Sequence, residues 1–100
     1  MLTKIKYILQ NAHKGNKTLP EQIIKAQEEL GELAAAYLMS KGKKSTTKTK
    51  QEVEDNFIEE TIDCLIILFA IAGTKKYTLE QIEKVFELKL NKWKSKLKDK

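Results

Sequence analysis

Glu60-Thr61-Ile62-Asp63-Cys64-Leu65-Ile66-Ile67-Leu68-Phe69-Ala70-Ile71-Ala72 turns from acidic to wholly apolar within about one helical turn. Residues three and four apart share a helix face, so the face that bears Glu60 and Asp63 continues as Ile67, Ala70 and Ile71. A solvated face does not normally end this abruptly. The two carboxylates are therefore expected at the rim of a buried surface, where an unpaired charge is costly. They also repel each other by roughly 0.2–0.5 kcal/mol across one turn. A cation between them removes both costs. A second pair, Glu29-x-x-Glu32, has the same spacing. It lies on a narrow polar arc with Gln22, Lys25 and Glu28. Taken alone that arc reads as a solvated face, and it gains meaning only beside Glu60 and Asp63.

Working outward, the pattern predicts four helices and no strand. The first covers about 2–13, with Leu2, Ile5, Leu9 and Ala12 on one stripe. Lys14-Gly15-Asn16-Lys17 ends it. Thr18-x-x-Glu21 has capping-box spacing, with Pro20 in the first turn, so a second helix follows to about 41, where Gly42 is a natural stop. The segment 42–49 has no apolar residue and reads as a Lys-rich loop. A third helix is predicted over 50–72, with Gly73 just past its end. Thr78-x-x-Gln81 then caps a fourth helix, whose Leu79, Ile82, Phe86, Leu90, Trp93 and Leu97 form one apolar stripe. Apolar residues cover more than half of helix two, so helices two and three belong at the centre of a bundle or a dimer, with helices one and four outside. Trp93, on the stripe, is expected in the core. The expected fold is all-α, a four-helix bundle-like single domain over 1–100, completed by oligomerisation as a homodimer or homotetramer.

Composition fits. The chain has 100 residues, 41% hydrophobic and 33% charged, with four Gly and one Pro, a balance that suits long helices rather than disorder. Its net charge is +5, and all 19 basic residues are Lys. No guanidinium is present to clamp a phosphate bidentately. One Cys excludes an intrachain disulfide and a Cys-based zinc site; Cys64 reads as a small buried residue. The N-terminus lacks the apolar segment of a signal peptide, and 64–72 is too short to span a bilayer, which takes about 20 residues. A cytoplasmic location is the expectation.

Four carboxylates on two helices form an oxygen-only donor set, which suits Mg²⁺ or Mn²⁺ rather than zinc. Bundle cores build such sites from facing helices. A di-iron site needs Glu-x-x-His, and His13 is in no such motif. Carboxylate-held Mg²⁺ that keeps open positions commonly meets a polyphosphate, and the loop from Lys41 to Lys50 is a basic segment that could approach its charge.

Glu28-Glu29-Leu30-Gly31-Glu32-Leu33 and Glu59-Glu60-x-x-Asp63, with a 27-residue spacer from Leu33 to Glu59 between Glu32 and Glu60, resemble the E-E-x-x-E…E-x-x-D signature of the MazG-type nucleotide pyrophosphohydrolases, in the all-α NTP pyrophosphatase superfamily. The resemblance covers helices two and three, and helix four more loosely. It implies Glu29, Glu32, Glu60 and Asp63 as Mg²⁺ ligands and Glu28 as a ligand or an orienting group for the attacking water. It implies a nucleoside triphosphate, ribo or deoxyribo, as substrate, hydrolysed to the monophosphate and pyrophosphate. By the same resemblance Lys89 and Asn91 approach the substrate phosphates, although Lys stands where the family often has Arg. Phosphoribosyl-ATP pyrophosphohydrolase is the neighbouring reading, but Leu65-Ile66-Ile67 stands where a Tyr-His pair is expected. A dimeric dUTPase-like enzyme is another, although those chains are usually longer. A non-catalytic helical interaction or nucleic-acid-binding module is the reading from a different class, suggested by Lys92, Lys94, Lys96, Lys98 and Lys100. The four acids argue against a nucleic-acid partner.

Overall fold

The computed structural model describes residues 1–42 and 45–98. Lys43 and Lys44 of the Lys-rich loop, and Lys100 of the basic C-terminal run, lie outside them. The described residues form four α-helices and no strand: α1 (Leu2–Asn11), α2 (Leu19–Ser40), α3 (Lys50–Thr74) and α4 (Leu79–Lys98). A short 3-10 turn, Ala12–Lys14, continues α1. No described helix is long and apolar enough to cross a membrane.

The helix starts follow from side-chain caps. Thr18 accepts from the Glu21 N–H while Glu21 accepts from the Thr18 N–H, and Pro20 sits in the first turn. Thr49 and Glu52 make the same reciprocal pair at α3. That box was legible as Thr49-x-x-Glu52 but is masked by the polar run before it. At α4, Thr78 and Gln81 close a third. Each box satisfies two N–H groups left without a helical partner. Gly42, at φ 70°, terminates α2 as expected.

Gly73 is not the stop of α3. The helix runs through it to Thr74, and the left-handed residue is Lys76, at φ 64°. The Lys76 N–H donates to the Gly73 carbonyl and the Tyr77 N–H to the Ala72 carbonyl, the paired bonds of a Schellman ending. Gly73 has a different task. A Cβ there would lie 2.7 Å from the Leu9 carbonyl oxygen and 2.8 Å from the Ala12 Cβ. Its bare backbone is what lets α1 lie against α3.

The main interface is α2 against α3, with α1 and its 3-10 turn on the far end of α3. Tyr37 meets Phe57 edge-on at 6.3 Å, and Glu29 lies near Glu60, so α2 and α3 form an antiparallel hairpin. The expectation that these two helices are central holds. The four helices fit an all-α bundle, but among the described residues α4 shares no substantial interface with the other three. Leu79, Ile82 and Leu90 are half-buried along a groove shared with Leu2, Ile5 and Phe69, but Phe86 and Trp93 are 60% and 58% exposed. Trp93 is therefore not a core residue, because the stripe of α4 is only partly covered by the rest of the chain. Among the described residues the buried apolar set is small, Leu9, Ala36 and Val53.

Two substitutions test these backbone assignments. Gly73→Ala is expected to cost about 1–3 kcal/mol, the usual penalty of overpacking a close contact, read as a lower midpoint in urea. Lys76→Gly relieves a left-handed side-chain position and is expected to raise stability by about 0.5–1 kcal/mol in the same assay.

Candidate metal centre

The hairpin brings the two acidic motifs together. One carboxylate oxygen from each of Glu29, Glu60 and Asp63 lies within 4.8 Å of the other two. Glu29 comes from the face of α2 that meets α3, and its side chain is only 12% exposed. Gln22, two turns earlier, is 5% exposed. The polar arc of α2 is thus not a solvated face: its Gln22 and Glu29 edge is turned into the helix contact, while Glu28 and Glu32 stay exposed. Glu60 is half-buried on α3 and Asp63 is exposed beside it, which is the rim position that the abrupt apolar switch implied.

Electrostatics follow from this geometry. The Glu60 carboxyl is pushed above the usual carboxylate range, first by burial, then by the charge and hydrogen-bonding contact of Glu32, then by Asp63 and Glu29. Glu32 lies outside the three-acid cluster but near enough to raise Glu60. Burial and then the same four acids push the neighbouring Cys64 thiol up. Among the described residues, Oε2 of Glu29 and Oε2 of Glu60 are buried without a hydrogen-bond partner. An uncompensated buried acceptor is costly, and here two carboxylates of the same cluster each carry one. A proton on Glu60 relieves part of that cost; a divalent cation relieves more, because it also offsets the mutual repulsion. The donor set, all carboxylate oxygens, fits a hard cation such as Mg²⁺.

Lys25 is the one partner the motif reading did not single out. Its Nζ lies 3.2 Å from Glu29 Oε1 and 3.4 Å from Glu28 Oε2. The spacing Lys25-x-x-Glu28-Glu29 makes both pairs, three and four residues apart, readable on a helix. These contacts push the Lys25 ammonium pKa up, Glu29 first and Glu28 second. Lys25 neutralises the outer oxygen of Glu29 and leaves the inner one unpaired. Glu28 is drawn to Lys25 on the solvent side and is not part of the three-acid cluster.

Lys89 and Asn91 are not brought to the acids. Lys89 lines an open groove of about 720 Å³ along α4 with Tyr77, Val85 and Phe86. Asn91 lines the groove of about 470 Å³ shared with α1 and α3. Neither groove includes Glu29, Glu32, Glu60 or Asp63.

The Glu60 environment has a measurable sign. The folded state holds the Glu60 proton more tightly than the unfolded chain does, so this contribution to stability is present at low pH. It is lost as pH rises from the ordinary Glu range through the raised folded value. In chelator, Glu60→Gln is expected to melt higher than wild type at pH 8, with the gap closing by pH 4. Added Mg²⁺ should stabilise wild type at pH 8 and leave Glu60→Gln nearly unmoved. Equal pH profiles for the two proteins would remove Glu60 from the cluster.

Compared with protein-family models, with curated proteins and with solved structures, the chain matches none.

Proposed function

We propose that this chain is a divalent-cation-dependent nucleoside triphosphate pyrophosphohydrolase of the MazG type, with the fold of that family. The observation that carries the reading is the meeting of two motif halves 27 residues apart in sequence. Carboxylate oxygens of Glu29, Glu60 and Asp63 converge within 4.8 Å, and two buried oxygens of the set lack any partner. Glu29, Glu60 and Asp63 would hold the cation, with Glu32 completing the set from the exposed side. A bound Mg²⁺ supplies charge stabilisation to phosphate oxygens and lowers the pKa of its water.

The chain's own residues then divide the work. Glu29 and Glu60 present their inner oxygens from opposite helices, so the hairpin fixes the separation of the ligands. Asp63 and Glu32, on the solvent side, face the substrate. Lys25 holds the outer Glu29 oxygen and so limits the carboxylate to one inward oxygen. In the overall reaction water adds to the α-phosphorus, the bond to the bridging oxygen breaks, and pyrophosphate leaves with that oxygen. Assignment of Lys89 and Asn91 to the substrate phosphates rests on the family resemblance alone.

The test is pyrophosphate release from a panel of ribo- and deoxyribonucleoside triphosphates, with Mg²⁺ and with EDTA. Metal-dependent release with the monophosphate as co-product is the expected result. Glu32→Gln and Asp63→Asn should each lower turnover by at least about 100-fold, the scale of losing a charge-stabilising group, while keeping the helical circular-dichroism signal. Absence of release from every nucleotide by folded protein would reject the reading, and phosphoribosyl-ATP would be the next substrate to try.

A further inference from the structure

The apolar stripe of α4 is unevenly covered. Leu79, Ile82 and Leu90 are half-buried beside α1. Phe86, Leu88, Trp93 and Leu97 are 60%, 66%, 58% and 49% exposed. Phe86, Leu90, Trp93 and Leu97 are spaced four, three and four residues apart, so they form one line along the helix. From Phe86 to Leu97 that line is about 16 Å long. Among the described residues no other helix shares a substantial interface with it.

Charge divides α4 into two halves. Its acids, Glu80, Glu83 and Glu87, all fall in the first half. Positions 88–98 hold five Lys, at 89, 92, 94, 96 and 98, and no acid. At about 100° per residue, Lys89 and Lys96 run along one side of the apolar line and Lys94 along the other. Trp93 sits between these flanks. The second half of α4 is thus a basic amphipathic surface with an exposed aromatic ring on its apolar line.

We propose that this half of α4 docks on a bilayer with anionic headgroups. The helix lies along the surface, with Phe86, Trp93 and Leu97 seated at the acyl boundary and the ammonium groups among the headgroups. A helix that lies on a membrane in this way carries Lys on its polar face and Trp, Phe or Leu on the other, with low overall hydrophobicity. The second half of α4 has that pattern, and no described helix is long and apolar enough to cross a membrane. The long Lys side chains keep their charge in water while their stems cover apolar surface. An indole ring, apolar with one polar N–H, suits the same depth. Charge complementarity selects the partner: each Lys close to an anionic leaflet strengthens binding about fivefold. A nucleic acid would answer the ammonium groups through its phosphates but would leave the apolar line uncovered, since only Trp93 lies among the five Lys to stack a base. A bilayer answers both the charge and the line. The docking stands independently of the metal and substrate assignments.

Flotation of the full chain with lipid vesicles tests it, alongside the emission of Trp93, the sole tryptophan. Wild type should float with mixed phosphatidylcholine and phosphatidylserine vesicles and not with phosphatidylcholine alone. Added salt should weaken the binding, and Trp93 emission should shift to the blue in the bound state. Lys94→Gln combined with Lys96→Gln should weaken binding at least about tenfold. Trp93→Ser should also weaken it at least about tenfold, and both variants should keep the helical circular-dichroism signal. Lys48→Gln, on the segment before α3, should bind as wild type does. Should a variant lose its helical signal, the emission shift of wild type still decides, because only a seated stripe moves it. No flotation with the anionic vesicles, flotation without a shift of Trp93 emission, or flotation unaltered by the paired Lys substitutions would each overturn the proposal. A protein that ignores vesicles but binds single-stranded RNA would also overturn it, and would transfer the surface to a nucleic-acid partner.

Discussion

The contact between α2 and α3 is the constraint on which everything else depends. It supplies the main packing in a chain whose buried apolar set, among the described residues, is Leu9, Ala36 and Val53. The same contact turns Glu29 toward Glu60. Burial and the candidate site are therefore one structural event. The helices cannot pack without crowding carboxylates, and the carboxylates cannot crowd unless the helices pack. A sequence selected for stability alone would place apolar residues there, since buried charge is repaid only when it is compensated. Acids at such a position are the kind of local inconsistency that functional sites introduce.

Much of this was legible in the residues. The abrupt change of face after Asp63 located Glu60 and Asp63 at a rim, and capping spacings located two helix starts. The wide apolar arc of α2 marked it as central. What escaped was three-dimensional. Gly73 read as a terminator because Gly usually ends helices; its real role, admitting the backbone of Leu9, depends on α1, sixty residues away in sequence. Lys76 carries the left-handed conformation although nothing in its chemistry favours it. The stripe of α4 was correctly periodic, but periodicity states which side of a helix is apolar, not whether a neighbour is present to cover it. Lys89 and Asn91 stand apart from the acids for the same reason.

The distribution of charge has a physical logic of its own. The chain is net positive, yet α2 carries four acids and one Lys, and α3 six acids and one Lys. The positive excess is carried outside these two helices. The hairpin therefore holds a strong local negative potential within a cationic molecule. Such a field favours cations near these two helices and anions near the Lys-rich remainder of the chain. Both attractions would weaken with added salt.

Cys64 adds a consequence of another kind. A thiol attacks, oxidises or exchanges only as its thiolate. Burial, and then the acids of the cluster, push the Cys64 thiol up, which disfavours its thiolate. The same crowding of carboxylates that raises Glu60 thus also bears on the one sulfhydryl of the chain, making it a poorer nucleophile than a free thiol at the same pH.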